Sequence, residues 1–224
     1  LYVLFFVPEP VKHESGPSTG FSVEKLKTAI ATPGLGLLLA LFFAYSFSFS
    51  NMESTFFRLA IKKFHMDQRG GALVLVVVGI VAAIVQGGLM RTLTPKFGEL
   101  KLMRVGYLLV TPALALMPFA WPWAPLLLGA IALGLGNGVA QPSLSSLISR
   151  NAPSSMQGGI FGVTQGLGAF ARIFGPMIGN ALFEINPAAP YFLAGTLMLI
   201  PIALSWKFQP QHQGLEPEPV QLES

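Results

Sequence analysis

Six long apolar stretches, separated by short polar ones, set the pattern of this chain. They run from about Leu35 to Thr55, Gly71 to Met90, Leu102 to Phe119, Pro125 to Ile148, Gly158 to Phe183 and Tyr191 to Trp206. The last is extended to about Asn186 and Phe208 to reach spanning length. A helix needs about 20 apolar residues to cross a bilayer, and none of these stretches alternates polar with apolar positions as the strands of a membrane barrel must. The pattern therefore predicts an all-α membrane protein with six transmembrane helices. Residues 1–8 are apolar up to Pro8 but too short to span. They lack the basic region and small-residue cleavage site of a signal peptide, and they read as the tail of a truncated transmembrane helix. Residues 9–34 are polar and broken by Pro10, Gly16, Pro17 and Gly20, which marks a connecting loop. Residues 35–208 hold the six helices, and 209–224 form a polar tail.

Composition sharpens this reading. The 224 residues are 52% hydrophobic and only 11% charged, whereas a soluble domain carries roughly 25% charged residues. There is no cysteine, which excludes a disulfide framework and thiol chemistry. The net charge of +4 is scattered and reads as loop charge beside a membrane, with no nucleic-acid footprint. Because the connections are short, neighbouring helices should be antiparallel. One side then holds Lys12, Lys25, Lys27, Arg91, Lys96, Lys101, Arg104, Arg150 and Lys207, and the other only Arg58, Lys62, Lys63 and Arg69. Cytoplasmic loops carry the excess of Lys and Arg. The first side, with the loop at 9–34 and the tail, is therefore expected inside the cell, in a multi-pass protein of the inner or plasma membrane. Trp121, Trp123, Tyr191 and Trp206 fall at helix ends, as interfacial aromatics do.

Polar residues inside apolar spans are the candidates for chemistry. Arg172 stands near the centre of the fifth span, where insertion costs at least about 2.5–3.5 kcal/mol, so it should face a bundle interior or a wet cavity. Gln165, seven positions earlier, shares its face. Arg172 serves either to cap carbonyls of a neighbouring helix or to pair with a substrate or an acidic residue. Glu53, near the outer end of the first full helix, is either solvated, paired with Arg58, or a proton-coupling carboxylate whose desolvation raises its pKa. Asn137 and Gln141, four apart on one face, and Gln86 suit a polar cavity or interhelical hydrogen bonds. Gly134, Gly138, Gly162, Gly166, Gly175 and Gly179, with Pro176 beside them, form helix-packing positions at four-residue spacing. That spacing suits static packing and a sliding contact alike.

Enzyme signals are weak. His13, His65 and His212 lie in loops or tails without carboxylates at metal-ligand spacing. No phosphate-binding loop or nucleophile elbow is present, so neither a metal nor a cofactor is expected.

Several stretches together resemble the C-terminal half of a major facilitator superfamily transporter, in particular the tetracycline-resistance-like branch of drug:proton antiporters. Phe5-Phe6-Val7-Pro8-Glu9 is similar to that branch's sixth-helix ending, and Asn51-Met52-Glu53-Ser54-Thr55-Phe56 to a stretch of its seventh helix. Gln86-Gly87-Gly88-Leu89 followed by Lys96-Phe97-Gly98-Glu99 resembles the loop between helices eight and nine. The run from Gly166 to Gly179 resembles the glycine-rich eleventh helix. The resemblance implies a twelve-helix fold whose N-terminal six-helix half is missing here, with 9–34 as the central cytoplasmic loop. It also implies a gating loop at Gly88, Arg91, Lys96 and Gly98. That loop departs from the family's signature, because Gly88 and Gly98 are ten positions apart and no aspartate lies between them. The implied function is secondary active transport by alternating access, as proton-coupled efflux of small lipophilic or amphipathic compounds. Its partners would be the lipid bilayer, a small-molecule substrate and protons. Uptake of sugars or other metabolites, and a non-transporting six-helix scaffold, are the alternatives.

Overall fold

The computed structural model describes residues 34–120, 123–153 and 156–207, and every element within them is helical. Helix α1 spans Leu35–Phe64. Helix α2, Gln68–Ile84, runs through a π turn at Val85–Leu89 into α3, Met90–Phe97. Helix α4, Glu99–Leu116, ends in a 3-10 turn at Met117–Phe119. Helices α5, Trp123–Asn151, α6, Gln157–Ile185, and α7, Ala189–Lys207, complete the order. The expected helix remnant at 1–8, most of the 9–34 loop, Trp121 and the polar tail lie outside the described residues.

Among the described residues, five helices are long and apolar enough to cross a membrane: Leu35–Phe64, Gln68–Phe97, Glu99–Phe119, Trp123–Asn151 and Ala189–Trp206. Helix α6 has 29 residues but carries Gln157, Gln165, Arg172 and Asn180 among its glycines, and it is not one of the five. Several helices outrun the apolar stretches that announced them. Helix α1 continues nine residues past Thr55 because Lys62 and Lys63 sit in its last turn, where cations complement the helix dipole and the orphan carbonyls. His65 closes it in the left-handed region (φ 51°). Asp67 then caps α2 by accepting from the Gly70 amide at 2.8 Å, which fixes a short antiparallel turn. Tyr191, expected at an interface, is fully buried, whereas Trp123 and Trp206 are exposed.

The six rods form two interlocked sets of three. Leu35 and Trp123, Phe97 and Ile185, and Phe119 and Lys207 are each 88 residues apart, so α1, α2–α3 and α4 match α5, α6 and α7 in length and spacing. The packing obeys the same exchange: α1 lies on α6 as α5 lies on α2, α1 touches α7 as α5 touches α4, and α4 meets α7. Helix irregularities recur too. The π turn around Gly87 and Gly88 matches Gly175–Pro176 of α6, and Pro112 of α4 matches Pro201 of α7 to within one position.

Small residues set the crossings. A methyl group on Gly106 would stand 2.6 Å from Ala140 Cβ and 2.7 Å from the Gly136 carbonyl oxygen, and one on Gly134 would stand 2.8 Å from the Val78 carbonyl oxygen. Backbones this close gain packing that lipid-facing apolar side chains do not supply. Of the expected packing glycines, Gly134 and Gly138 carry the α2·α5 crossing and Gly175 and Gly179 the α1·α6 crossing. Gly162, Gly166 and Pro176 are half-buried.

Candidate functional site

A cleft of about 340 Å³ opens between α1, α5 and α6. Helix α5 contributes Gln141, Ser145 and Ser149, and α6 contributes Gln157, Thr164, Gln165 and Arg172. Phe42, Ile148, Ile160 and Phe161 supply its apolar wall. Among the described residues, one cation and no carboxylate line it. Gln165 and Arg172 reach it together because seven residues make two helical turns, and Gln141 faces them from α5. The Arg172 side chain folds back over Gly168: a methyl at Gly168 would stand 3.4 Å from Arg172 Nη1 and 3.5 Å from Phe42 Cε1. Arg172 is exposed and lines the cleft with Phe42.

The other expected site residues lie elsewhere. Asn137 turns towards α1, where its Oδ1 accepts a hydrogen bond from the Tyr45 hydroxyl. Gln86 is exposed on the π turn of α2, and Glu53 is exposed on α1. Neither lines the cleft. The proposed Glu53–Arg58 pair is not formed. Arg58 instead donates to Glu184 Oε1 and, at 3.1 Å, to Asn180 Oδ1 of α6, and it lies 4.6 Å over the Phe183 ring. The hydrogen bond and charge of Arg58, aided by Lys62, hold the Glu184 carboxyl below its usual range.

At the opposite end of the bundle, Arg91 and Gly98 of the expected gating loop line a second cleft of about 590 Å³ with Glu99 and Arg150. Glu99 Oε1 accepts from Ser146 Oγ at 2.6 Å and pairs with Arg150 Nε at 3.2 Å. Gly98, at φ 77° and ψ 153°, makes the break between α3 and α4 in a conformation that favours glycine. Gly88 and Lys96 are exposed and do not line this cleft. Tyr45, Phe42, Asn180, Glu184 and Glu99 were not singled out as site residues from the sequence. The spacing of Asn180 and Glu184, one turn apart on α6, was the available signal for the pair that meets Arg58.

The major facilitator superfamily model matches residues 1–176 and 93–223. The chain belongs to the major facilitator superfamily. Among its relatives is major facilitator superfamily domain-containing protein 10 of Mus musculus, 28% identical over 200 residues, which are 89% of this chain and 42% of that protein. Another is multidrug resistance protein 1 of Bacillus subtilis, 28% identical over 194 residues, 86% of this chain and 48% of that protein. The crystal structure of the human organic anion transporter MFSD10 (TETRAN) superposes with a TM-score of 0.74 at 23% identity, covering 86% of this chain and 50% of that chain. That likeness shows the fold. The chain spans about half the length of the curated relatives it matches. With five apolar helices of spanning length, it is an integral membrane protein of this superfamily.

Proposed function

We propose that this chain forms one half of a secondary active transporter that exports small amphipathic compounds, and that the cleft between α1, α5 and α6 is its contribution to the substrate site. The cleft's mixed lining carries the reading. Arg172 lies among glutamines and serines against an aromatic and aliphatic wall, with no carboxylate among the described lining residues. Such a lining suits a ligand with an apolar body and an acidic or hydrogen-bond-accepting group. A bidentate guanidinium recognises carboxylates and phosphates by geometry as well as charge. The names of the relatives, multidrug resistance for one and organic anion transport for the structural neighbour, are compatible with this class.

On this reading α6 crosses the membrane as a sixth span, its polar face turned to the cleft and away from lipid. A second six-helix half supplies the facing wall, and the two rock about the midplane. The end bearing Glu99 and Arg150 is cytoplasmic, by the excess of Lys and Arg there. On this proposal protons are the driving ion, with Glu53 as the coupling carboxylate on this half although it stands exposed on α1 outside the cleft and not desolvated within it. The reading is tested by reconstituting the whole protein and following extrusion of an amphipathic anion with and without an imposed proton gradient. Gradient-driven extrusion supports it. Extrusion that ignores the gradient removes the proton-coupling part, and absence of any flux removes the transporter reading.

A further inference from the structure

The two ion pairs among the described residues are Arg58–Glu184 and Arg150–Glu99, and they occupy related places in the internal repeat. Arg58 and Lys62 of α1 are displaced by 88 residues from Ser146 and Arg150 of α5. Each pair is one turn apart on the first helix of its repeat, and each faces a single carboxylate. Ser146 and Arg150 hold Glu99, the first residue of α4, across Gly98 from the end of α3. Arg58 bonds Glu184 in the last turn of α6, with Lys62 beside it. Both carboxylates lie beyond the irregularity of the second helix, the π turn at Val85–Leu89 in one case and Pro176 in the other. A π turn and an internal proline each weaken the backbone ladder, so the segment beyond them can bend as a unit. The partner helices run parallel, since Gly175 and Gly179 of α6 meet Phe47 and Asn51 of α1 in ascending order, as Gly134 and Gly138 of α5 meet Val78 and Ala82 of α2. The two pairs therefore close opposite ends of the bundle.

We propose that Arg58, Asn180 and Glu184 form a latch that is the repeat-related counterpart of the Ser146–Arg150–Glu99 cluster, the first holding the hinge-distal end of α6 and the second the junction at which α3 passes into α4, each at its own face of the membrane. This rests on the alternating-access reading, because a transporter needs a separable closure at each face. The exposure of the partners fits a contact that must open. Arg58 and Glu184 side chains are 40% and 67% exposed, whereas in the other pair Arg150 is 71% exposed and only its carboxylate partner Glu99, at 9%, is enclosed. Exposed pairs contribute little and exchange readily with water. The Arg58 latch is thus the looser of the two, and the Glu99 latch the tighter.

The test uses the whole protein in nanodiscs and needs no substrate, so its outcome is read separately from that of any flux measurement. The chain contributes no cysteine, and Ala181→Cys and Thr92→Cys place exposed reporters on the two hinge-distal segments. Arg58→Ala is expected to raise maleimide labelling at Ala181→Cys by about two- to fivefold, the range for loss of an exposed pair, with Thr92→Cys unchanged. Arg150→Ala is expected to do the reverse. Glu184→Gln preserves the volume and should give a milder version of the Arg58→Ala result, which covers the case of a misfolded alanine variant. Arg58→Glu with Glu184→Arg should restore wild-type labelling. Equal changes at both reporters, no change at either, or failure of the charge swap to restore labelling in a folded protein would overturn the proposal.

Discussion

The Tyr45 hydroxyl of α1 donates a hydrogen bond to Asn137 Oδ1 of α5, across 92 positions of sequence. Its ring also stacks on Phe49 and lies 5.7 Å from the Tyr107 ring of α4. Three helices from both repeats therefore meet at one polar contact beside the cleft. Hydrogen bonds between membrane helices average about 0.6 kcal/mol and reach about 1.7. Tyr45→Phe and Asn137→Leu should each lower thermal stability in detergent by that order. A double-mutant cycle should show that the two losses do not add. Additive losses would mean that the contact is not formed in the folded protein.

Glycine substitutions should divide by what a methyl group meets. Gly106→Ala drives Cβ against the Gly136 carbonyl and Ala140, and Gly134→Ala drives it against the Val78 carbonyl and Val81. Backbone cannot rotate away as a side chain does, so each should cost about 1–3 kcal/mol and depress folded yield. Gly79→Ala, with nothing within 4 Å of the added atom, should be neutral or slightly stabilising. Size-exclusion profiles after graded heating would check the three together.

The pH response of the Arg58 latch has a definite sign. Arg58, then Lys62, lower the Glu184 pKa in the folded protein. A depressed carboxylate contributes stability that is present above its unfolded pKa and is lost as pH falls through the folded value. The mobility of a nitroxide spin label attached beforehand at Ala181→Cys should therefore be flat from about pH 8 to about pH 5 and rise only below the ordinary carboxylate range. A rise centred near neutral pH would contradict the pairing.

If Glu53 couples protons, Glu53→Gln should retain substrate counterflow while losing gradient-driven extrusion. Its exposed place on α1, outside the cleft, makes loss of both activities the contrary result, because a substrate-binding role would then be indicated.

What the sequence revealed follows from which forces act locally. Apolar runs marked the helices, since each span must hide its own backbone from lipid whatever its neighbours do. Seven-residue spacing placed Gln165 and Arg172 on one face for the same reason. Pairings between helices were not legible. Arg58 meets Glu184, 126 positions away, while Glu53, five positions away, points elsewhere. Side-chain choice there depends on how α1 lies along α6, and that depends on Gly175 and Gly179 admitting Phe47 and Asn51. The internal repeat likewise left little trace in residue identity, yet its 88-residue displacement is plain once helix ends are known. Lengths and crossing points are conserved by packing geometry, whereas individual lipid-facing residues are free to differ.

The most direct measurement is flux through the reconstituted whole protein for an amphipathic anion and its neutral isostere, in wild type, Arg172→Lys and Arg172→Gln. A hydrogen bond to a charged group is worth about 1.5–3 kcal/mol. Arg172→Gln should therefore lower anion flux about 10- to 100-fold while leaving the neutral isostere nearly unchanged, and Arg172→Lys should fall between, having the charge without the fork. Anion flux at the wild-type level in a normally expressed Arg172→Gln protein would contradict the assignment of this cleft as the substrate site.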